Sequence, residues 1–255
     1  MITHLFETPY DSKQKTVRVL LPKDYDQSDK AYPVLYMHDG QNLFHNNESY
    51  ANSAWKVQKA IAGEDLILVG LNHSEDRIQE YIPFKKPFIK NKENYGDRYM
   101  DWLVNELKPF IDQHYRTSSG REHTYIAGSS LGGLISAYAL SRYNEIFSVA
   151  GIFSLAIMYY EQDMAKLIEA HPFDKDTRVF LQVGTHEVIN WKKKKLRRKA
   201  SQDYLNSNLN YVKRLLTSGI QPEHLDLSID VDAKHHEQAW RKAFPRFVEF
   251  IRQSD

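Results

Sequence analysis

The chain has 255 residues, of which 42% are hydrophobic, and 34 Lys and Arg nearly balance 33 Asp and Glu to give a net charge of +1. This length allows one large α/β domain, and the even charge excludes a globally basic nucleic-acid-binding protein and an acidic disordered chain. Cysteine is absent, which excludes disulfides, thiolate metal sites and cysteine nucleophiles. No signal-peptide pattern opens the chain, and no stretch approaches the roughly 18 apolar residues of a membrane-spanning helix. We therefore expect a cytoplasmic protein with no membrane or nucleic-acid partner.

Short apolar runs alternate with longer helical patterns, which is typical of a mainly parallel sheet flanked by helices. The predicted strands are residues 17–21, 34–37, 66–71, 124–127, 149–153, 179–183 and 225–229, the last an edge or half-buried strand. Apolar faces predict helices at residues 99–110, 131–143 and 240–251. No repeat or linker divides the chain, so a single α/β domain over residues 1–255 is predicted.

The strongest functional motif is Gly-Ser-Ser-Leu-Gly-Gly at residues 128–133, between a predicted strand and a predicted helix. It fits the G-x-S-x-G pattern, in which a serine lies on a sharp strand-to-helix turn and glycines let the two elements pack closely. Ser130 is the candidate nucleophile, because Ser129 lacks a glycine two residues away on each side. The helix that starts at Leu131 directs its N-terminal amides toward developing negative charge.

A serine nucleophile needs a histidine base and an acid that orients it, and in this fold they follow the serine in the order acid, then histidine. His235 and His236 come late enough, after the last predicted strand. Glu187 follows the strand before that and is the candidate acid, with Asp230 and Asp232 as rivals on the histidine's own strand and loop.

The oxyanion formed by such a serine needs two backbone N–H donors. One is predicted at Leu131, directly after the nucleophile, and the other in the loop that follows an early strand. His38-Asp39-Gly40-Gln41 is that loop, and Gly40 lets the chain expose the amide of Gln41. The alternative is an ordinary turn at the end of a strand.

These residues resemble the esterase D-like family of the α/β hydrolases, which includes feruloyl, acetyl-xylan and enterochelin esterases and S-formylglutathione hydrolases. The similarity rests on residues 36–44, 77–83, 106–112, 128–133, 184–187 and 235–240. It implies an α/β-hydrolase fold and, by registering Glu237 and Trp240 on the family pattern, makes His235 the base rather than His236. Ala233 and Lys234 depart from the pattern, where relatives usually carry glycine. Arg77 and Glu80 are implied to be a structural pair near the site entrance.

Seven of the eight residues from Lys192 to Lys199 are basic. A solvated helix face is the simpler interpretation. The functional interpretation is that this stretch forms a rim of the active site and attracts ligands that carry a carboxylate or phosphate group. Trp191, Tyr159 and Tyr160 are candidates for lining an acyl or aromatic pocket, although such residues more often serve in packing.

The sequence thus predicts a serine carboxylesterase that acts on small-molecule esters, with aromatic and sugar-linked esters both compatible with the resemblance. No short spacing of metal ligands such as H-E-x-x-H occurs, so no metal and no other cofactor is expected. An acyltransferase or thioesterase on the same residues is the first alternative. A non-catalytic anion-binding protein on the same scaffold is the second.

Overall fold

The computed structural model describes residues 1–85, 88–188 and 193–253, and an eight-stranded sheet runs through its centre. The strands are β1 (Ile2–Glu7), β2 (Gln14–Leu20), β3 (Val34–His38), β4 (Ile67–Leu71), β5 (Thr124–Ser129), β6 (Val149–Phe153), β7 (Arg178–His186) and β8 (Leu225–Lys234). Their order is β1-β2-β4-β3-β5-β6-β7-β8. β1 pairs antiparallel with β2, and β2 with β4, whereas all pairs from β4 to β8 are parallel. The predicted mainly parallel sheet is confirmed.

Helices cover both faces of this sheet. They are α1 (Val57–Ala60), α2 (Arg77–Glu80), α3 (Gly96–Trp102), α4 (Lys108–His114), α5 (Leu131–Arg142), α6 (Glu161–Ala170), α7 (Lys194–Thr217) and α8 (Glu237–Arg252). A π-helical turn joins α3 to α4, so the predicted helix at 99–110 is one nearly continuous helical segment. Within the described ranges, no helix is long and apolar enough to cross a membrane.

The alternation of side chains along the strands divides the core into two layers. In β3, Val34 and Tyr36 pack on one side of the sheet, and Leu35 and Met37 pack on the other. Residues of α3 to α7 complete the first layer, and residues of α1 and α8 complete the second. The predicted apolar face of α8 is buried in the second layer through Trp240, Phe244, Phe247 and Ile251.

The two edges of the sheet differ in how well the sequence predicts them. β1 is absent from the predicted strands because none of its residues is fully buried: Leu5 is 64% exposed, and His4 and Phe6 on the other face are half-buried. Pairing with β2, from Ile2 opposite Val19 to Glu7 opposite Gln14, holds it at the edge. β8 is the other edge strand, as predicted, but it runs on to Lys234 and so delivers His235 to the carboxyl end of the sheet.

Candidate active site

The carboxyl ends of the parallel strands meet at one edge of the sheet, where the loops that follow them enclose a cavity of about 730 Å³. Ser130, Glu187 and His235 lie on the wall of this cavity. The structure therefore brings together the three residues that the sequence predicts as nucleophile, acid and base. Other lining residues include Asn42, Tyr50, Tyr204 and Trp240.

Ser130 occupies a sharp turn between β5 and α5. Its φ is 59°, in the left-handed region that residues other than glycine rarely adopt. Its backbone N–H donates a hydrogen bond to the carbonyl oxygen of Phe153 at 2.9 Å. A Cβ on Gly128 would lie 2.6 Å from the carbonyl oxygen of Gly132, so the turn requires glycine there. Close packing of the strand against the helix thus holds the strained backbone of Ser130 in place.

The carboxylate of Glu187 contacts the ring of His235, with Oε2 2.7 Å from Nδ1. The Glu187 side chain is fully buried, whereas 27% of the His235 side chain is exposed. The other carboxylate oxygen, Oε1, accepts hydrogen bonds from the N–H of Gly184 at 2.6 Å and from the hydroxyl of Ser154 at 2.7 Å. An ionised carboxylate only accepts hydrogen bonds, so Nδ1 carries the proton and Nε2 is the basic nitrogen. This is the tautomer that a general base requires.

Ser130 and His235 share the cavity without a hydrogen bond between the hydroxyl and the ring, as far as the described residues show. Such contacts are often long in ligand-free enzymes and shorten when substrate binds.

The two rival carboxylates have other partners. Asp230 accepts a hydrogen bond from Nε2 of Gln182 at 3.0 Å. Asp232 lies at the exposed end of β8, where its Oδ1 is 3.2 Å from Nδ1 of His186. Of these three acidic residues, Glu187 is the one in contact with His235.

The predicted oxyanion donors, Gln41 and Leu131, follow the neighbouring strands β3 and β5. Leu131 is the first residue of α5, and the first amides of a helix have no partner within the helix. Gln41 lies in the short 3₁₀ turn Gly40–Asn42, which follows Asp39 at a φ of 58°. The two loops touch, since a Cβ on Gly132 would lie 3.3 Å from Oδ2 of Asp39. Both segments therefore meet beside Ser130.

Arg77 and Glu80 do not pair with each other, which corrects the expectation drawn from the resemblance. Arg77 forms a two-pronged ion pair with Asp39, with Nε 2.6 Å from Oδ1 and Nη2 2.7 Å from Oδ2. Glu80 turns into the core and pairs with Lys15 at 2.6 Å. Burial alone raises the pKa of Asp39, but the charge and hydrogen bonds of Arg77 outweigh burial and hold that pKa below its ordinary value. The ionised Asp39 thus anchors the loop that carries Gln41.

His38, the last residue of β3 and the first of this loop, is not available as a catalytic base. Its side chain is buried, and its Nδ1 lies 2.8 Å from the hydroxyl of Tyr99. Burial lowers the pKa of His38 to about 3, so the ring stays neutral at physiological pH.

The structure does not place Tyr159 on the cavity wall. Its side chain is 62% exposed, and its ring packs against Phe88 with centroids 5.5 Å apart. Trp191 lies outside the described residues. The rings near His235 are instead those of Tyr204, at 5.7 Å, and Trp240, at 5.1 Å between centroids. No sequence motif singles out Tyr204. It reaches the site because it lies on α7, which passes beside the cavity.

The basic stretch forms the start of α7, except for Lys192, which lies outside the described residues. Six basic residues fall between positions 193 and 199, and all but the half-buried Arg197 are exposed. In the described part of the chain, none of them forms an ion pair. Ser201, two residues further on, accepts a hydrogen bond from the N–H of Val188 at 3.0 Å, which ties this end of α7 to the cavity wall.

Comparison with known proteins identifies the family. Residues 12–251 match the model of the family described as "Putative esterase". The chain belongs to this esterase family. It is therefore a hydrolase that acts on esters, which confirms the predicted enzyme class.

Individual proteins that resemble this esterase share less than a third of its sequence. The "Uncharacterized protein YbbA" of Bacillus subtilis is 27% identical over 236 residues, which cover 91% of this chain and 90% of that protein. A solved structure described as "ferulic acid esterase" superposes with a TM-score of 0.69 at 18% identity, over 100% of this chain and 98% of the other. "Siderophore hydrolase EstA" from Aspergillus nidulans gives a TM-score of 0.75 at 18% identity, over 99% and 94%. These similarities confirm the predicted α/β-hydrolase fold.

Proposed function

We propose that residues 1–255 form a single α/β-hydrolase domain that acts as a serine carboxylesterase, with Ser130 as nucleophile, His235 as general base and Glu187 as the acid. The observation that carries this proposal is the 2.7 Å contact between Glu187 Oε2 and His235 Nδ1, on the wall of the cavity that Ser130 also lines. A serine hydroxyl is a weak nucleophile until such a base takes its proton.

The reaction has two halves. Ser130 Oγ attacks the carbonyl carbon of the ester while His235 Nε2 takes its proton, and the N–H groups of Gln41 and Leu131 stabilise the resulting oxyanion. Glu187 stabilises the imidazolium, which then gives its proton to the departing alcohol and leaves the acyl group on Ser130. Water, deprotonated by His235, then attacks the acyl carbon, the bond to Ser130 Oγ breaks as the imidazolium returns its proton to Oγ, and the carboxylic acid leaves. These steps need no cofactor.

We place the substrate among small-molecule esters that carry an aromatic or sugar-linked group. The cavity of about 730 Å³ is of the size that holds such ligands. Its wall includes Tyr50, Tyr204 and Trp240, and the Tyr50 side chain is 90% exposed and free to stack on a ligand. The ferulic acid esterase and the siderophore hydrolase among the similar structures support this class.

A fluorophosphonate probe tests the proposal directly. We expect one label per chain, located at Ser130 by peptide mapping, because a serine that an adjacent base activates displaces fluoride from the probe and becomes phosphonylated. A panel of p-nitrophenyl esters should then be hydrolysed at rates that do not depend on added alcohol or thiol. Preferred transfer to such an acceptor indicates an acyltransferase, and preferred cleavage of thioesters indicates a thioesterase. A protein that neither labels nor turns over any ester contradicts the proposal.

The start of α7 supports a second, compatible function, which is the attraction of anionic ligands to the cavity. Lys194 and Arg197 are seven and four residues before Ser201, and this spacing puts all three on one face of the helix, the face that meets the cavity wall at Val188. Lys195 and Lys199 point away from this face. A positive potential at the rim favours esters with a carboxylate or phosphate group.

Two charge-matched double variants test this role. We expect Lys194→Gln with Arg197→Gln to lower kcat/KM several-fold for an anionic ester and to leave a neutral ester of equal length unaffected. Lys195→Gln with Lys199→Gln removes the same charge from the outer face and should have a smaller effect. The difference should shrink as salt is raised, because exposed charges are screened over about 10 Å at 0.1 M. Equal rates for wild type and both variants on the anionic ester refute the role.

A further inference from the structure

Ser154 lies on the turn that follows β6, and its hydroxyl takes part in two buried hydrogen bonds. Nε1 of Trp240 is 2.8 Å from Ser154 Oγ, and Oγ is 2.7 Å from Oε1 of Glu187. An indole N–H can only donate, so the Ser154 oxygen accepts this bond and its single hydrogen points to the carboxylate. The direction of donation is therefore fixed, from Trp240 to Ser154 and from Ser154 to Glu187.

The turn holds Ser154 in an unusual conformation. Its φ is 49°, and its side chain is completely buried. Its backbone N–H donates to the carbonyl oxygen of Gln182 at 2.7 Å, and its carbonyl oxygen accepts from the hydroxyl of Tyr204 at 2.5 Å. A non-glycine residue stays in this region only where its surroundings hold it, and such positions cluster at functional sites.

The same turn also holds the candidate nucleophile. Ser130 donates its backbone N–H to Phe153, directly before Ser154, at 2.9 Å. Its carbonyl oxygen accepts from the N–H of Ala156, two residues after Ser154, at 3.2 Å. Hydrogen bonds from this short segment therefore reach the backbone of Ser130 and the side chain of Glu187.

We infer that Ser154 is a positioning residue, which fixes Oε1 of Glu187 so that Oε2 remains on His235. This inference rests on the proposed function. Without the hydroxyl, the N–H of Gly184 is the remaining donor to Oε1 among the described residues. The carboxylate then has freedom to rotate away from the histidine, and the indole N–H of Trp240 loses its buried acceptor. Ser154 is not among the residues that line the cavity, so its effect on the reaction passes through Glu187.

Two substitutions separate the hydroxyl from the backbone conformation. Ser154→Ala and Ser154→Gly both remove the hydroxyl, and glycine adopts a φ of 49° without steric cost, so the second variant should fold even if the first does not. We expect each to lower kcat about tenfold, counted per fluorophosphonate-labelled site, with KM unchanged. Ser141→Ala is the matched control, because Ser141 is also buried and, among the described residues, its hydroxyl bonds only to the carbonyl oxygen of Ala137. Glu187→Gln gives the loss expected when the carboxylate itself is removed.

A double-mutant cycle with Trp240→Phe tests the chain of donors. If Trp240 acts on the acid through Ser154, the double variant should lose no more kcat than Ser154→Ala alone. Effects that multiply would show two independent structural roles and overturn the inference. So would Ser154→Gly and Ser154→Ala variants that match the wild-type kcat. An inactive, unlabelled wild type would instead overturn the proposed function, so the two failures are distinguishable.

Discussion

Replacing Ser130 by alanine should lower kcat for an activated ester by about 10⁴-fold or more, because the proposed acyl-enzyme cannot form without the hydroxyl. Residual turnover above that of water is expected, since the oxyanion donors and the cavity remain. The measurement is the steady-state hydrolysis of a p-nitrophenyl ester, with the labelling of the same samples by a fluorophosphonate. The labelling should disappear together with the turnover.

The fold should survive this substitution. Ser130 has a φ of 59° that its neighbours enforce, and alanine differs from serine only by the hydroxyl. Ser141→Ala is again a suitable control, because it removes a buried hydroxyl from α5, the helix that begins directly after Ser130. Thermal melting of both variants should agree with wild type to within a few degrees. If Ser130→Ala labels and hydrolyses like wild type, Ser130 is not the nucleophile.

Replacing His235 by alanine should have an effect of similar size, with a loss of kcat of about 10⁴-fold. His235 is the histidine whose Nδ1 lies 2.7 Å from Glu187 Oε2, so its removal takes away the proposed base and leaves the buried Glu187 carboxylate without this partner. Because the base acts in both halves of the reaction, neither acylation nor deacylation should proceed at a normal rate. Single-turnover experiments with the activated ester measure the acylation step separately.

His236 is the matched comparison, since it is adjacent in the chain but has a different contact. Its Nδ1 accepts a hydrogen bond from the N–H of Gln238 at 3.1 Å and so caps α8. His236→Ala should lower the free energy of unfolding by about 1 kcal/mol, and His236→Asn should restore it, because asparagine is a good capping residue. Most of the turnover should remain in both. If His236→Ala abolishes turnover and His235→Ala does not, the base is His236 and our register on the family pattern is wrong by one residue.

Much of the fold was accessible from the sequence because buried strands and amphipathic helices leave periodic patterns. The strands at 34–37 and 149–153 carry no polar side chain except the hydroxyl of Tyr36, since helices cover them on both faces, and the strand at 179–183 has one polar residue, Gln182. β1 leaves no such pattern, because its side chains are at most half-buried and it pairs with one neighbour, β2. The strand order also follows from contacts between distant segments, which no local pattern encodes.

The residues of the candidate site also differ in how far the sequence alone predicts them. Ser130 was found from its glycines, because the close packing of strand and helix limits the residue types at those positions. His235 and Glu187 were placed by their order along the chain and by resemblance, and their catalytic roles stay predictions. The resemblance predicted the partner of Arg77 wrongly: Arg77 pairs with Asp39, which is distant in the chain, and Glu80 pairs with Lys15.

By itself, the sequence determined the buried strands, three of the helical segments, the mainly parallel sheet, the absence of thiol chemistry and the motif around Ser130. It did so because each of these depends on residue type and local spacing. Only the tertiary structure decided which carboxylate contacts His235, what anchors Asp39 and which hydroxyl donates a hydrogen bond to Glu187. Ser154 shows why: it is a single serine without a motif, and its contacts exist only because the ends of β6 and β7 and the start of α8 converge at one edge of the sheet.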